Sequence, residues 1–195
     1  MPFYVLELHP GLWPSKGRAV DPGPAPKTNG WRFFAHCHED DLETCDLLYS
    51  DPADFKNVQR AFKDFQALMA WLYEAGKSGV SWRDIIKDGN LFHSVHSFKV
   101  TRTENGRKVE KVVEVLQFKR ARTNVRVLTV QSGIGSCNAF VTHAFEKDSA
   151  QTPASEQRRA EDGATAFFQA LDAGQVQLIT SQQGDGDDAN QSRFR

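Results

Sequence analysis

The chain has 195 residues, 24 Lys and Arg against 25 Asp and Glu, and 39% hydrophobic residues with fourteen Phe and four Trp. That content supports a packed core in one decorated domain or two small ones, and it excludes a wholly disordered chain. No apolar run approaches the roughly 18 residues of a membrane span, and a formal net charge of −1 excludes a uniformly basic nucleic-acid binder.

The N-terminal MPFYVLELHP lacks the regions of a signal peptide, and three cysteines (Cys37, Cys45, Cys137) at no framework spacing suit a reducing, cytoplasmic setting. Phe3–Leu8 and Trp31–Ala35 read as short strands. Pro10, Pro14, Pro22, Pro24 and Pro26 enforce an irregular connection between them. Residues 1–50 are therefore expected to form an irregular extension. Within it, His36, Cys37, His38, Glu39, Asp40, Asp41 and Cys45 include good metal ligands, but no second Cys or His pair at recurring spacing accompanies them. No metal and no cofactor are expected. Between Glu39 and Asp54 there are seven carboxylates and no cation.

The main domain is expected over residues 51–175. Asp51-Pro52 is a helix-start signal, and Phe55, Val58, Phe62, Phe65, Leu68, Met69 and Leu72 form one apolar stripe that ends near Gly76. Ser81-Trp82-Arg83-Asp84 begins a shorter helix toward Gly89. Four β-rich runs follow: Val95–Thr103, Val109–Phe118, Val125–Val130 and Ala139–Phe145. Asn105-Gly106 joins the first two as a two-residue hairpin, and the joints 119–124 and 131–138 are short and polar or glycine-rich. Thr152-Pro153 reads as N-cap and first residue of a helix that carries Ala160, Ala164, Phe167, Phe168 and Leu171 and stops near Gly174. Residues 176–195 give a short strand, Val176–Thr180, and a polar tail expected to be disordered.

Between Lys99 and Arg126 there are nine Lys or Arg against three Glu, which predicts a basic face on the sheet. An ordinary solvated surface satisfies the same pattern. Arg126-Val127-Leu128, the strand ending Thr142-His143-Ala144-Phe145-Glu146-Lys147, and the Thr152-Pro153 helix start together resemble the C-terminal half of RelE/HigB-like toxins, including phage-encoded members. The resemblance implies an α+β, RelE-like fold. Its frame is an antiparallel meander of four to five strands, packed with two N-terminal helices and a C-terminal helix.

It also implies a toxin of a type II toxin–antitoxin system. Such a toxin is a metal-independent mRNA endoribonuclease that works by ribose 2′-OH attack, on the ribosome or free of it, and is held by an antitoxin protein. On that reading Arg126 clamps phosphate through its planar fork, His143 exchanges the proton, and Lys147 adds charge. Lys119, Arg120 and Arg122 bind RNA. His93 and His96 are alternative proton carriers. Asp148 and Thr129 stand where the family has a second lysine and an aromatic, and they favour a rival reading: a non-catalytic effector or inhibitor that occupies a protein or nucleic-acid-binding complex.

Overall fold

The computed structural model describes residues 1–8, 31–41, 44, 45, 47, 92–119, 125–131, 138–147 and 150–179. Its frame is one mixed sheet of seven strands: β1 (Phe3–Leu8), β2 (Arg32–Cys37), β3 (Phe92–Glu104), β4 (Arg107–Phe118), β5 (Val125–Gln131), β6 (Asn138–Glu146) and β7 (Val176–Leu178). The spatial order is β3-β4-β5-β6-β2-β1-β7. One helix, α1 (Ala154–Asp172), packs on it.

The four central runs pair antiparallel in succession, β3 with β4, β4 with β5 and β5 with β6. The β3–β4 hairpin closes at Asn105 (φ 51°) and Gly106 (φ 74°), the pair of left-handed residues that a two-residue turn needs to match the strand twist. Beyond β6 the expected frame fails. β2 pairs parallel with β6 (Ala35 opposite Val141), β1 pairs antiparallel with β2, and β7 pairs parallel with β1. An antiparallel meander of four to five strands packed with two N-terminal helices and a C-terminal helix is therefore corrected. The sheet is mixed, has seven strands, and carries one helix among the described residues. The two helices expected over 51–76 and 81–89 lie outside the described residues.

Where residues 1–50 are described they are not irregular: β1 and β2, at the strands expected over Phe3–Leu8 and Trp31–Ala35, lie inside the sheet order. The proline-rich connection between them, residues 9–30, lies outside the described residues. Both strands are buried along most of their length, so they lack the apolar–polar alternation that marks a strand with one wet face. Their one charged pair is satisfied internally. The Arg32 guanidinium donates from Nε to Glu7 Oε1 (2.6 Å) and from Nη2 to Glu7 Oε2, and stacks 5.1 Å from the Phe34 ring.

The core lies between the sheet and α1. Phe140 stacks on Phe167 at 4.3 Å, with Phe34, Phe98, Val115, Leu128, Val130, Ala160, Ala164 and Phe168 around them. Polar ties lock the helix across β3. Glu161 reaches His96 (3.1 Å), and Asp172 accepts from Arg102 Nε (2.9 Å) and from the Thr103 amide (2.6 Å). The helix ends at Gly174, whose φ of 66° lets the Gln175 amide turn back to the Ala170 carbonyl.

Candidate phosphate-binding site

Two irregularities in strand pairing aim the functional side chains. In β6, Val141 lies opposite Thr129 and His143 opposite Leu128, so Thr142 is an extra residue, and its hydroxyl donates to the Leu128 carbonyl at 3.1 Å. In β3, His93 lies opposite Gln117 and His96 opposite Val115, which makes Val95 the extra residue. Each bulge moves the following residues by one position and turns them to the other face. As a result His96 and His143 both face α1, at Glu161 and Glu156.

His93, Gln117, Leu128 and His143 then form one cross-strand row. Lys119 follows directly on Phe118, which pairs with Val127, so it lies level with Arg126, and Arg126 pairs with Phe145. Lys147 follows the last residue of β6. Three neighbouring strands thus deliver Lys119, Arg126 and Lys147 to one end of the sheet, beside His93.

Burial lowers the His93 imidazole below its ordinary value, and the charges of Lys119, Lys147 and Arg126 lower it further. Burial, Arg126 and Lys119 lower the Lys147 ammonium. Burial also lowers Arg126, which stays protonated at any physiological pH. Like charges gathered at one end of a sheet raise the positive potential there.

A buried relay holds His93. Gln117 is fully buried, its Oε1 accepts from the Thr152 hydroxyl at 2.8 Å, and its Nε2 lies 3.3 Å from His93 Nε2. With the Thr152 proton on Oε1, the Gln117 amide presents N–H to the ring, which keeps Nε2 as an acceptor and the imidazole neutral. Thr152 therefore does not cap α1 with its side chain. The N-cap is Pro153, and Thr152 spends its hydroxyl on the relay.

His143 is 4% exposed, and its Nε2 lies 2.9 Å from Glu156 Oε2 while Thr142 Oγ1 lies 3.3 Å from Nδ1. Burial first, then the Arg159 charge, pull its pKa down to about 3. The ring is neutral at pH 7 and donates Nε2–H to the carboxylate. It is a buried tie between β6 and the first turn of α1.

Of the residues singled out in the sequence, Arg126, Lys147 and Lys119 come together, and His143 sits one row inward. Arg120 and Arg122 lie outside the described residues. Gln117 and Thr152 were missed as site residues, and His93 was ranked below His143. The available signal was Gln117 itself, a polar residue in register with Val113 and Val115 on the face of β4 that packs on the core. At the His36–His38 segment the two rings meet edge to face at 5.1 Å. Among the described residues no group of three or more His, Cys, Asp or Glu is placed to hold a metal ion. No described helix is long and apolar enough to cross a membrane.

No protein-family model, curated protein or solved structure matches the chain.

Proposed function

We propose that the chain binds RNA through its sugar–phosphate backbone at the corner formed by Lys119, Arg126, Lys147 and His93. The observation that supports this reading is the convergence of three cations, Lys119, Arg126 and Lys147, from three neighbouring strands at one end of the sheet. Arg126 takes two oxygens of one phosphate through its fork, and the lysines act as point charges on adjacent phosphates. The choice of RNA rests on the toxin-like run from Arg126 to Lys147. Neither imidazole presents an open lone pair: His143 is buried against Glu156, and His93 Nε2 faces the Gln117 amide. Binding without strand scission is the reading the geometry favours, as expected of an effector that occupies a nucleic-acid complex.

A second reading, the antitoxin-held mRNA endoribonuclease, is favoured by one observation. The lowered Lys147 ammonium moves toward neutrality beside Arg126, and the lowered His93 imidazole stands in its neutral, proton-accepting form. In that reaction His93 takes the ribose 2′-OH proton once Gln117 turns its amide. Arg126 and Lys119 hold the charge of the phosphorane, and Lys147 protonates the departing 5′-oxygen.

One experiment separates the readings: labelled single-stranded RNA is titrated with wild-type chain and with Arg126→Ala in chelator, and the RNA termini are then mapped. Binding that weakens in Arg126→Ala with RNA left intact is the expected result. New 2′,3′-cyclic phosphate ends that vanish in both Arg126→Ala and His93→Ala would establish the nuclease instead. Absence of binding at low salt ends both readings.

A further inference from the structure

Cys37, the last residue of β2, and Cys45 form a single antiparallel rung outside the named strand pairs. Thr44 builds the turn that brings them face to face. Its amide donates to the Asp41 carbonyl (3.1 Å), its carbonyl accepts from the His38 amide (3.3 Å), and its hydroxyl accepts from the Glu39 amide (3.1 Å) and donates to the Asp41 carbonyl (2.6 Å). The His38–Thr44 hydrogen bond joins the residue after Cys37 to the residue before Cys45. That places the two cysteines directly opposite each other at a non-hydrogen-bonded position.

At such a position the Cα atoms stand roughly 4.5 Å apart and both side chains leave the same face of the ladder. That separation falls within the roughly 4.4–6.8 Å a disulfide spans. Both residues are buried, at 1% and 0% exposure, and both are thiols here.

We propose that Cys37 and Cys45 are a thiol–disulfide site, oxidised by a small-molecule disulfide of the glutathione type. The rung is one residue wide, so local opening around the His38–Thr44 hydrogen bond exposes a thiol without unfolding β2. One cysteine loses its proton and, as thiolate, attacks a sulfur of the small disulfide, releasing one small thiolate and leaving a mixed disulfide on the protein. The second cysteine, deprotonated in turn, displaces the other small thiolate and closes the Cys37–Cys45 bond. Two protein thiols have then given two electrons and two protons to one small disulfide, yielding two small thiols. The bond ties down the turn that carries Glu39, Asp40 and Asp41. In sequence alone these cysteines are two of an odd three at no framework spacing; only their cross-strand register singles them out.

The test incubates the full folded chain in glutathione buffers of rising disulfide fraction, quenches with acid and alkylating agent, and maps peptides by mass. The expected result is an intact mass lower by two hydrogens and a Cys37–Cys45 linked peptide, both reversed by excess reduced glutathione, with circular dichroism unchanged. Cys45→Ser and Cys45→Ala should retain a glutathione adduct on Cys37 in place of the internal bond, and the wild-type peptide map decides even if neither variant folds. Two alkylated thiols at every buffer ratio, or a bond that instead involves Cys137, would overturn the proposal.

Discussion

Replacing Lys119 by alanine removes one of the three cations that the ends of β4, β5 and β6 bring together, and the consequence can be worked out before it is measured. Binding of single-stranded RNA releases condensed counterions in proportion to the phosphates neutralised. If Lys119, Arg126 and Lys147 each meet one phosphate, log K falls against log salt with a slope of about −2.1. Between about 50 and 200 mM salt that slope costs about 18-fold in affinity. With two contacts left the slope is about −1.4 and the same change costs about 7-fold. Fluorescence anisotropy on a labelled oligonucleotide, repeated at several salt concentrations, reads both slopes directly. Lys119 is half-buried at the end of β4 and its removal opens no core cavity, so the variant should fold, which circular dichroism checks. Lys147→Ala should reproduce the reduced slope. Slopes that stay at the wild-type value in both lysine variants would refute the idea that this corner meets phosphate.

Three other outcomes follow from the same structure. His143 titrates near 3 when folded and near its ordinary value when unfolded, so between those values the unfolded chain binds the extra proton. Its contribution is complete above the ordinary value and is lost as pH falls toward 3, at a limit of about 1.4 kcal/mol per pH unit. Denaturant melts of His143→Asn should therefore show a flatter loss of stability over that window, and a slope equal to wild type would show that the ring is not the titrating group. Gly163 lies inside α1, and a Cβ there would meet Thr142 at 3.8 Å, an ordinary contact. Gly163→Ala should thus raise stability by about 0.5–1 kcal/mol, and a lower melting temperature would contradict it. Because β2 runs parallel to β6, the Glu39-Asp40-Asp41 turn leaves the sheet at the same end as Lys147. Glu39→Gln with Asp40→Asn and Asp41→Asn should tighten RNA binding at low salt, an effect that fades as salt screens it; an equal gain at high salt would rule out electrostatic competition.

The sequence made some of this legible and hid the rest for identifiable reasons. The β3–β4 hairpin was readable because Asn105-Gly106 is chemically suited to two left-handed residues. The helix from Ala154 was readable from its spaced Ala160, Ala164, Phe167 and Phe168. Strand partners were not. Nothing in Arg32–Cys37 states that it will lie parallel to Asn138–Glu146, because that pairing is fixed by which hydrophobic surfaces meet after the chain between them has folded. Thr152 misled for a related reason. Its position before Pro153 satisfies the local rule for a cap, yet its hydroxyl has a buried competitor, the Gln117 amide thirty-five residues earlier, and goes to it.

The two bulges explain why the site could be named in part and its proton carrier misplaced. Read with an unbroken period of two, Phe140, Thr142 and Ala144 share one face of β6, and His143 falls on the other with Phe145. One extra residue at Thr142 puts Phe140, His143 and Phe145 on the helix side together. The same device in β3 lets His93 and His96, three residues apart, point the same way. Inserting a residue into a ladder costs pairing, and here it places two histidines against helix carboxylates while His93 is left at the edge of the row, within the field of Lys119, Arg126 and Lys147. Removing the extra residue, and not the register around it, should therefore be tolerated by the site. Deletion of Val95 restores a regular β3 in which His93 still lies opposite Gln117 and His96 opposite Val115, two residues apart and on one face. In that variant RNA affinity and the His93 imidazole, read by NMR titration, should stay close to wild type, whereas a His93 signal that returned to its ordinary value would show that Val95 itself, and not the register with Gln117, sets the surroundings of the ring.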